Sequence, residues 1–229
     1  MQNDLRGNLA EVQRRIAAAA RGAGRNPAEI KLVAVSKTHP VEVLGEALAA
    51  GANFFGENKV QEAEGKIAEI GRARAEWHLI GHLQSNKARK AVKLFDLIQT
   101  LDSIELAERL ERICTEENRS TLPVLIQVDL AGEKTKNGIA EKDAAKLVET
   151  LSGFQHLKLK GLMTIPPFDE DTEKVRPFFR RLRAIRDALT PGGELSMGMS
   201  GDYETAIEEG ATIVRVGTAI FGARNYRGN

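Results

Sequence analysis

The sequence predicts a single-domain α/β protein over residues 1–229, a closed (β/α)8 barrel of the TIM type with an extra N-terminal helix. Three observations predict it. Short apolar runs alternate with longer amphipathic stretches, the short runs number eight, and 229 residues is a length that one such barrel commonly occupies. An open doubly wound sheet is the competing architecture. Eight strands alternating with helices in this length favour closure.

An opening helix is predicted at about 4 to 22, followed by GAGRNP (22–27), which holds only part of a GxGxxG pattern and has no strand before it. It reads as a helix stop and a loop. The strands are predicted at LVAVS (32–36), NFFG (53–56), WHLIG (77–81), LFDLIQTL (94–101), PVLIQVDL (123–130), LKLKGLMT (157–164), ELSMG (194–198) and TIVRVG (212–217). Between them VEVLGEALAA, KVQEAEGKIAEI, SIELAERLERICTEEN, EKDAAKLVETL and KVRPFFRRLRAIRDAL carry apolar residues near a spacing of 3.6 and are predicted helices.

Charge and composition narrow the function classes. Lys and Arg total 33 against 32 Asp and Glu, a formal charge of +1, which supplies no global basic field for nucleic acid. The start, MQNDLRGNLAEVQRR, has no apolar signal core, and no run of about eighteen apolar residues occurs, so a cytoplasmic location is expected. Cys114, the one cysteine, lies at helical spacing from Leu106 and Leu110 and reads as a packed core thiol.

In a barrel the chemistry sits at the C-terminal ends of the strands. Those ends carry Lys37 and His39, Glu57 and Asn58, His82 and Gln84, then Asp102, Asp129, Thr164, Ser200, Gly217 and Thr218. No close carboxylate pair and no convergent His/Asp/Glu set is evident, which argues against a glycosidase and against a metal centre. His78 and His82 share the i,i+4 spacing of helical zinc ligands, but their segment reads as a strand and lacks the glutamate of HExxH. A packed or hydrogen-bonded histidine is the simpler reading.

The loops after strands seven and eight often hold phosphate in such barrels, with the N-terminus of a short extra helix. Here they are MGMSGD, offering Ser200 and Gly201, and VGTAIFG, offering Gly217 and Thr218. Either loop alone could be an ordinary turn; together they point to an anion site. Lys37, at the end of the apolar run in KLVAVSKTHP, faces the same mouth, because closure makes strands one and eight neighbours. A lysine with a lowered pKa can attack a carbonyl and form a Schiff base. The ligand that combines an aldehyde and a phosphate on one small ring is pyridoxal 5′-phosphate (PLP). Arg215, in TIVRVG, is a permanent cation within an apolar strand. It either meets the cofactor's ring nitrogen, which it would leave unprotonated, or pairs with a carboxylate on the barrel wall.

The stretches LVAVSKTHP, FGENKVQE, WHLIGHLQSNK, GLMTIPP, LSMGMSGDYETAIEEGAT and IVRVGTAIFGAR, spanning residues 32–224, resemble the pyridoxal phosphate homeostasis proteins. Their barrel is similar to the N-terminal domain of alanine racemase. The resemblance implies that Lys37 is the Schiff-base lysine and that Asn58 lies beside the cofactor. It further implies that Ser200, Gly217 and Thr218 hold the phosphate and that Arg215 faces the pyridine nitrogen. Asp129 in QVDLAGE departs from the asparagine expected there, which leaves the role of its loop open.

Similar racemases take a second base, a tyrosine, from another domain and subunit. Here the tyrosines are Tyr203, in a predicted helix, and Tyr226, in the tail. The expectation is therefore a non-enzymatic, monomeric carrier that holds PLP on Lys37 and buffers it or delivers it to apo PLP-dependent enzymes. A weak racemase or decarboxylase of small amino acids is the alternative. A third reading, an interaction module, rests on two basic helices. One carries Lys87, Arg89, Lys90 and Lys93; the other carries Arg176, Arg180, Arg181, Arg183 and Arg186. Their apolar rows suit the outer layer of a barrel better than a membrane or nucleic acid.

Overall fold

The structure, a computed structural model, describes residues 4–132 and 137–222. Helix α1 (Leu5–Gly22) opens at Asp4, whose carboxylate accepts the Gly7 N–H at 2.9 Å. Its buried stripe is Leu5, Leu9, Val12, Ile16 and Ala20. After Gly22 the chain turns at Gly24, and Asn26 caps a short 3-10 turn at Pro27–Glu29. GAGRNP is thus a helix stop and a loop.

Eight parallel strands close a barrel: β1 (Lys31–Val35), β2 (Phe54–Glu57), β3 (Glu76–Leu79), β4 (Leu97–Leu101), β5 (Leu122–Asp129), β6 (Leu157–Met163), β7 (Glu194–Ser196) and β8 (Ile213–Val216). Two pairings decide closure. Strand β1 pairs with β8 through Lys31↔Ile213 to Ala34↔Val216, and β4 pairs with β5 through Ile98↔Val124 and Leu101↔Ile126. A two-residue strand, Ile139–Ala140, adds to the end of β5.

Helices α2 (Val41–Ala49), α3 (Val60–Ile70), α4 (Ala88–Leu94), α5 (Ile104–Glu116), α6 (Glu141–Ser152) and α7 (Thr172–Leu189) cover the outside. Short helices α8 (Tyr203–Glu208) and α9 (Thr218–Phe221) follow β7 and β8, and α1 packs on both. The fourth strand begins three residues later than its apolar run suggests, because Leu94 completes α4 and Asp96 turns back to accept the Trp77 N–H at 2.9 Å.

The pleat divides the core in two. Leu32 and Ala34 of β1 face the large cluster between strands and helices, whereas Val33 belongs to a small interior cluster with Leu97, Leu125, Met163 and Ile213. The inside of the barrel is otherwise polar, with His78, Gln99, Ser196 and Arg215 buried there, whereas the buried Ser36 and Glu57 lie on the outward face of the sheet toward Lys66 of α3. The basic helices are neutralised from neighbouring elements. Lys90 meets Glu64 at 2.6 Å, Lys93 meets Glu117 at 2.8 Å, and Arg176 and Arg180 meet Glu209 at 2.9 and 3.0 Å. No helix among the described residues is long and apolar enough to cross a membrane.

Candidate functional site

Strand β1 delivers Lys37 through a backbone that its surroundings hold out of its ordinary range. Thr38, directly after it, has φ 68°, a left-handed conformation that a β-branched residue rarely adopts. Glu62 of α3 accepts the Thr38 N–H at 2.5 Å. The same Glu62 oxygen receives the Lys66 ammonium at 2.7 Å, and Lys66 also donates to the Ser36 carbonyl and to Glu57 Oε1, each at 2.7 Å. Ser36 Oγ donates to Glu57 Oε1 at 2.6 Å. The residues on both sides of Lys37 are therefore pinned to one buried ionic cluster. Burial pushes the Glu57 carboxyl up, and Lys66 offsets only part of that. Glu62 is also penalised by burial, but its bonds from Lys66 and Thr38 leave it lower than an ordinary carboxylate.

Strand β2 leads into Asn58, whose backbone lies against Gly81 beyond β3. From β7 the chain passes Gly198, at φ 93°, and Asp202 Oδ1 accepts the Met199 N–H at 2.6 Å, which bends the loop around Ser200. Ser200 Oγ in turn accepts N–H groups from Gly217 at 3.2 Å and Ala219 at 3.4 Å. The two loops after β7 and β8 thus meet at one hydroxyl, with the first amides of α9 converging on it. Arg215, 3% exposed, donates through Nη1 to Ser196 Oγ at 2.6 Å and through Nη2 to the Thr164 carbonyl at 2.9 Å. Among the described residues no carboxylate pairs directly with it. Its burial lowers the guanidinium to about 10, a shift that Asp202 opposes, and burial in turn raises the Asp202 carboxyl.

One cavity of about 390 Å³ gathers these parts. Lys37, Asn58, Ser200, Gly201, Arg215, Gly217 and Thr218 all line it, with Val35, Ile80, Ile165 and Met199 as apolar walls and Phe168 and Asp169 at the rim. Phe168 is 83% exposed. The lining is mostly apolar with a few convergent polar groups, the usual make-up of a small-molecule site.

Other residues at the strand ends go elsewhere. His39 stacks on Phe221 with ring centroids 4.8 Å apart, and His82 Nδ1 lies 3.1 Å from Asp102. His78 points inside the barrel between Glu76 and Gln99, while His82 is half-exposed, so the i,i+4 pair does not converge. Among the described residues no group of His, Cys, Asp or Glu could hold a metal ion. Asp129 Oδ1 accepts from Ala131 N and Gly132 N at 3.0 Å each, a turn that an asparagine oxygen would make equally well. Tyr203 is buried under α1, with the Arg15 guanidinium 5.5 Å from its ring, and Tyr226 lies outside the described residues.

Sequence reasoning missed the apolar walls and the buried partners of Arg215. Ser196 and Gln99 were visible only as lone polar residues inside apolar runs, a signal that does not say which partner each one meets.

A family model described as alanine racemase, N-terminal domain, matches residues 7–225. The pyridoxal phosphate homeostasis protein of Pseudomonas aeruginosa is 45% identical over 223 residues, covering 96% of this chain and 95% of that protein. The protein of the same name from Escherichia coli K12 is 43% identical over 236 residues, covering 98% of each. Among solved structures, PipY of Synechococcus elongatus PCC7942 with PLP bound superposes with a TM-score of 0.84 at 39% identity, covering 96% of this chain and 100% of that one.

Proposed function

We infer the function from one premise: the chain belongs to the alanine racemase N-terminal-domain family and, within it, to the pyridoxal phosphate homeostasis proteins. It binds PLP in the cavity at the barrel mouth, with Lys37 as the Schiff-base lysine. It serves PLP homeostasis by holding the cofactor reversibly, buffering it or passing it to apo-enzymes in the cytoplasm as a monomer.

The observation that carries this reading is the composition of one cavity: a lysine, an arginine, an asparagine and two glycine-containing loops around a single hydroxyl. The fit is chemical as well as spatial. Ser200 Oγ accepts the Gly217 and Ala219 amides, which leaves its own proton to donate to a phosphate, and glycine at 217 lets the group come close to the backbone. Arg215 can only donate, so it suits an unprotonated ring nitrogen. Asn58, which lines the same cavity, would offer its amide to the cofactor. When bound, PLP supplies an aldehyde that condenses with amines and a ring that withdraws electrons. An arginine at the ring nitrogen weakens that withdrawal, and Tyr203 is packed away under α1, which together favour a carrier over a racemase or decarboxylase.

Absorbance of the purified protein with and without PLP, for wild type and Lys37→Ala, tests the proposal. The expected result is a visible imine band that the substitution abolishes; an unchanged band would remove Lys37 from its role. Sustained racemisation or decarboxylation of amino acids by the loaded protein would overturn the carrier reading.

A further inference from the structure

We propose that a chain of hydrogen bonds through the barrel interior, Ser196–Gln99–His78–Glu76, positions Arg215 and so fixes the direction in which its guanidinium donates into the cavity. The consequence for the cofactor rests on the PLP reading given above; the chain itself does not.

The links are short and continuous. Arg215 Nη1 donates to Ser196 Oγ at 2.6 Å, and Ser196 Oγ donates to Gln99 Oε1 at 2.5 Å. Gln99 Nε2 lies 2.8 Å from His78 Nδ1, and His78 Nε2 lies 2.9 Å from Glu76 Oε1. One end sets the polarity of the whole. A guanidinium can only donate, so Ser196 accepts from it and passes its own proton to the Gln99 carbonyl. The Gln99 amide then donates to His78 Nδ1, which leaves the imidazole proton on Nε2, facing the Glu76 carboxylate. Each group acts in the only direction its neighbour leaves open.

Four strands contribute: β3 supplies Glu76 and His78, β4 Gln99, β7 Ser196 and β8 Arg215. Ser196, Gln99 and His78 are fully buried, so each would lose hydrogen-bonding capacity if a link broke. Glu76 is the first residue of β3, at the end of the barrel opposite the mouth, and its side chain is partly exposed. The chain therefore joins a buried cation without a directly paired carboxylate to a solvated anion at the far end. In such a low-dielectric interior each bond polarises the next. The bond from His78, more than any other contribution, holds the Glu76 carboxyl below its usual range, although burial pushes the other way. With Nη1 tied to this chain and Nη2 tied to the Thr164 carbonyl, the orientation of the guanidinium plane is set before any ligand arrives.

The test uses the full chain without cofactor, labelled with 15N at arginine, and NMR of the guanidinium groups. Arg215→Lys identifies the Arg215 signals by their loss. Wild type is expected to show separate, slowly exchanging Nη protons for this arginine. Gln99 is linked to Arg215 through the Ser196 hydroxyl, and Gln99→Leu is expected to merge those signals and speed their exchange at least tenfold, as is Ser196→Ala. Ser196→Thr, which keeps the hydroxyl, is expected to retain them. Circular dichroism and a cooperative melt establish folding, and Ser196→Ala decides the matter if Gln99→Leu does not fold. Arg215 signals unchanged from wild type in the folded variants would overturn the proposal. In PLP-loaded protein, the pH midpoint of the imine band is expected to move by half a unit or more in Ser196→Ala and not in Ser196→Thr. Absence of any imine in wild type would sink the cofactor reading while leaving the NMR result to judge the chain.

Discussion

Gly81 and Asn58 sit back to back at the mouth of the barrel: a Cβ on Gly81 would lie 2.3 Å from the Asn58 carbonyl oxygen and 2.7 Å from its Cα. Gly81 is also held from the other side, since its own carbonyl accepts the Thr100 hydroxyl at 2.8 Å. Gly81→Ala must therefore push the Asn58 backbone, which lines the cavity. The expected outcome is a PLP affinity weakened on the order of tenfold, equivalent to about 1.4 kcal/mol, with the fold retained. Titration followed by absorbance measures it, and an unchanged dissociation constant would separate Asn58 from the binding site.

The cluster behind Lys37 makes a prediction about stability. Lys66 is 8% exposed and Glu57 fully buried, and they meet at 2.7 Å. Removing only the cation with Lys66→Met strands a buried carboxylate, a change that typically costs roughly 3–5 kcal/mol. The double variant Lys66→Met/Glu57→Gln should recover part of that loss. Because burial already raises the Glu57 carboxyl, the penalty of the single variant should shrink as the pH falls and Glu57 takes up a proton. Urea denaturation at several pH values checks all three statements.

The parts of the fold that a single stretch of chain determines were legible in the sequence. Each of the eight strands overlaps a short apolar run that the sequence marks, and α1 stops at the Gly22 to Gly24 turn as its composition implies. The start of β4 was not legible, because Leu94 and Phe95 extend the apolar run although Leu94 belongs to the outer helix. Lys37 and Arg215 stood out because a charge at an apolar strand demands a reason. The chain from Ser196 to Glu76 did not, because its partners are 97 and 21 residues apart in sequence and are brought together only by barrel closure.

A pH-dependent contribution is expected from Glu111 on α5, which staples the approach to β6. Its carboxylate accepts from Gln155 N at 2.8 Å, His156 N at 3.1 Å and Leu157 N at 2.9 Å, and lies 2.8 Å from His156 Nδ1. Burial raises the carboxyl, but the His156 and backbone bonds outweigh it, so the net shift is downward. A carboxyl depressed in the folded state stabilises fully above its unfolded pKa, about 4.3 for glutamate, and loses that contribution as pH falls through the folded value. Glu111→Gln should cost about 1–3 kcal/mol at pH 7, and the gap to wild type should narrow below about pH 4.3. Urea melts of both proteins across that range would expose a constant gap, which is the contrary result.

Cys114 offers a test of the outer core. It is fully buried on the inner face of α5, beside Leu110 and Ile113 in the same apolar cluster, and burial pushes its thiol up to about 11. Reaction with a disulfide reagent requires both thiolate and access. At pH 8 the thiolate fraction is on the order of one in a thousand, and the reagent must also wait for α5 to lift from β6 and from its neighbours α4 and α6. Native protein should therefore label slowly, at a rate set by opening, while urea-unfolded protein labels one thiol at once. Since opening governs access, Glu111→Gln should speed native labelling at pH 7 by freeing α5 from the chain entering β6, whereas Gly81→Ala at the mouth should leave it unchanged. Rapid labelling of the folded wild type would mean that α5 does not seal the barrel wall.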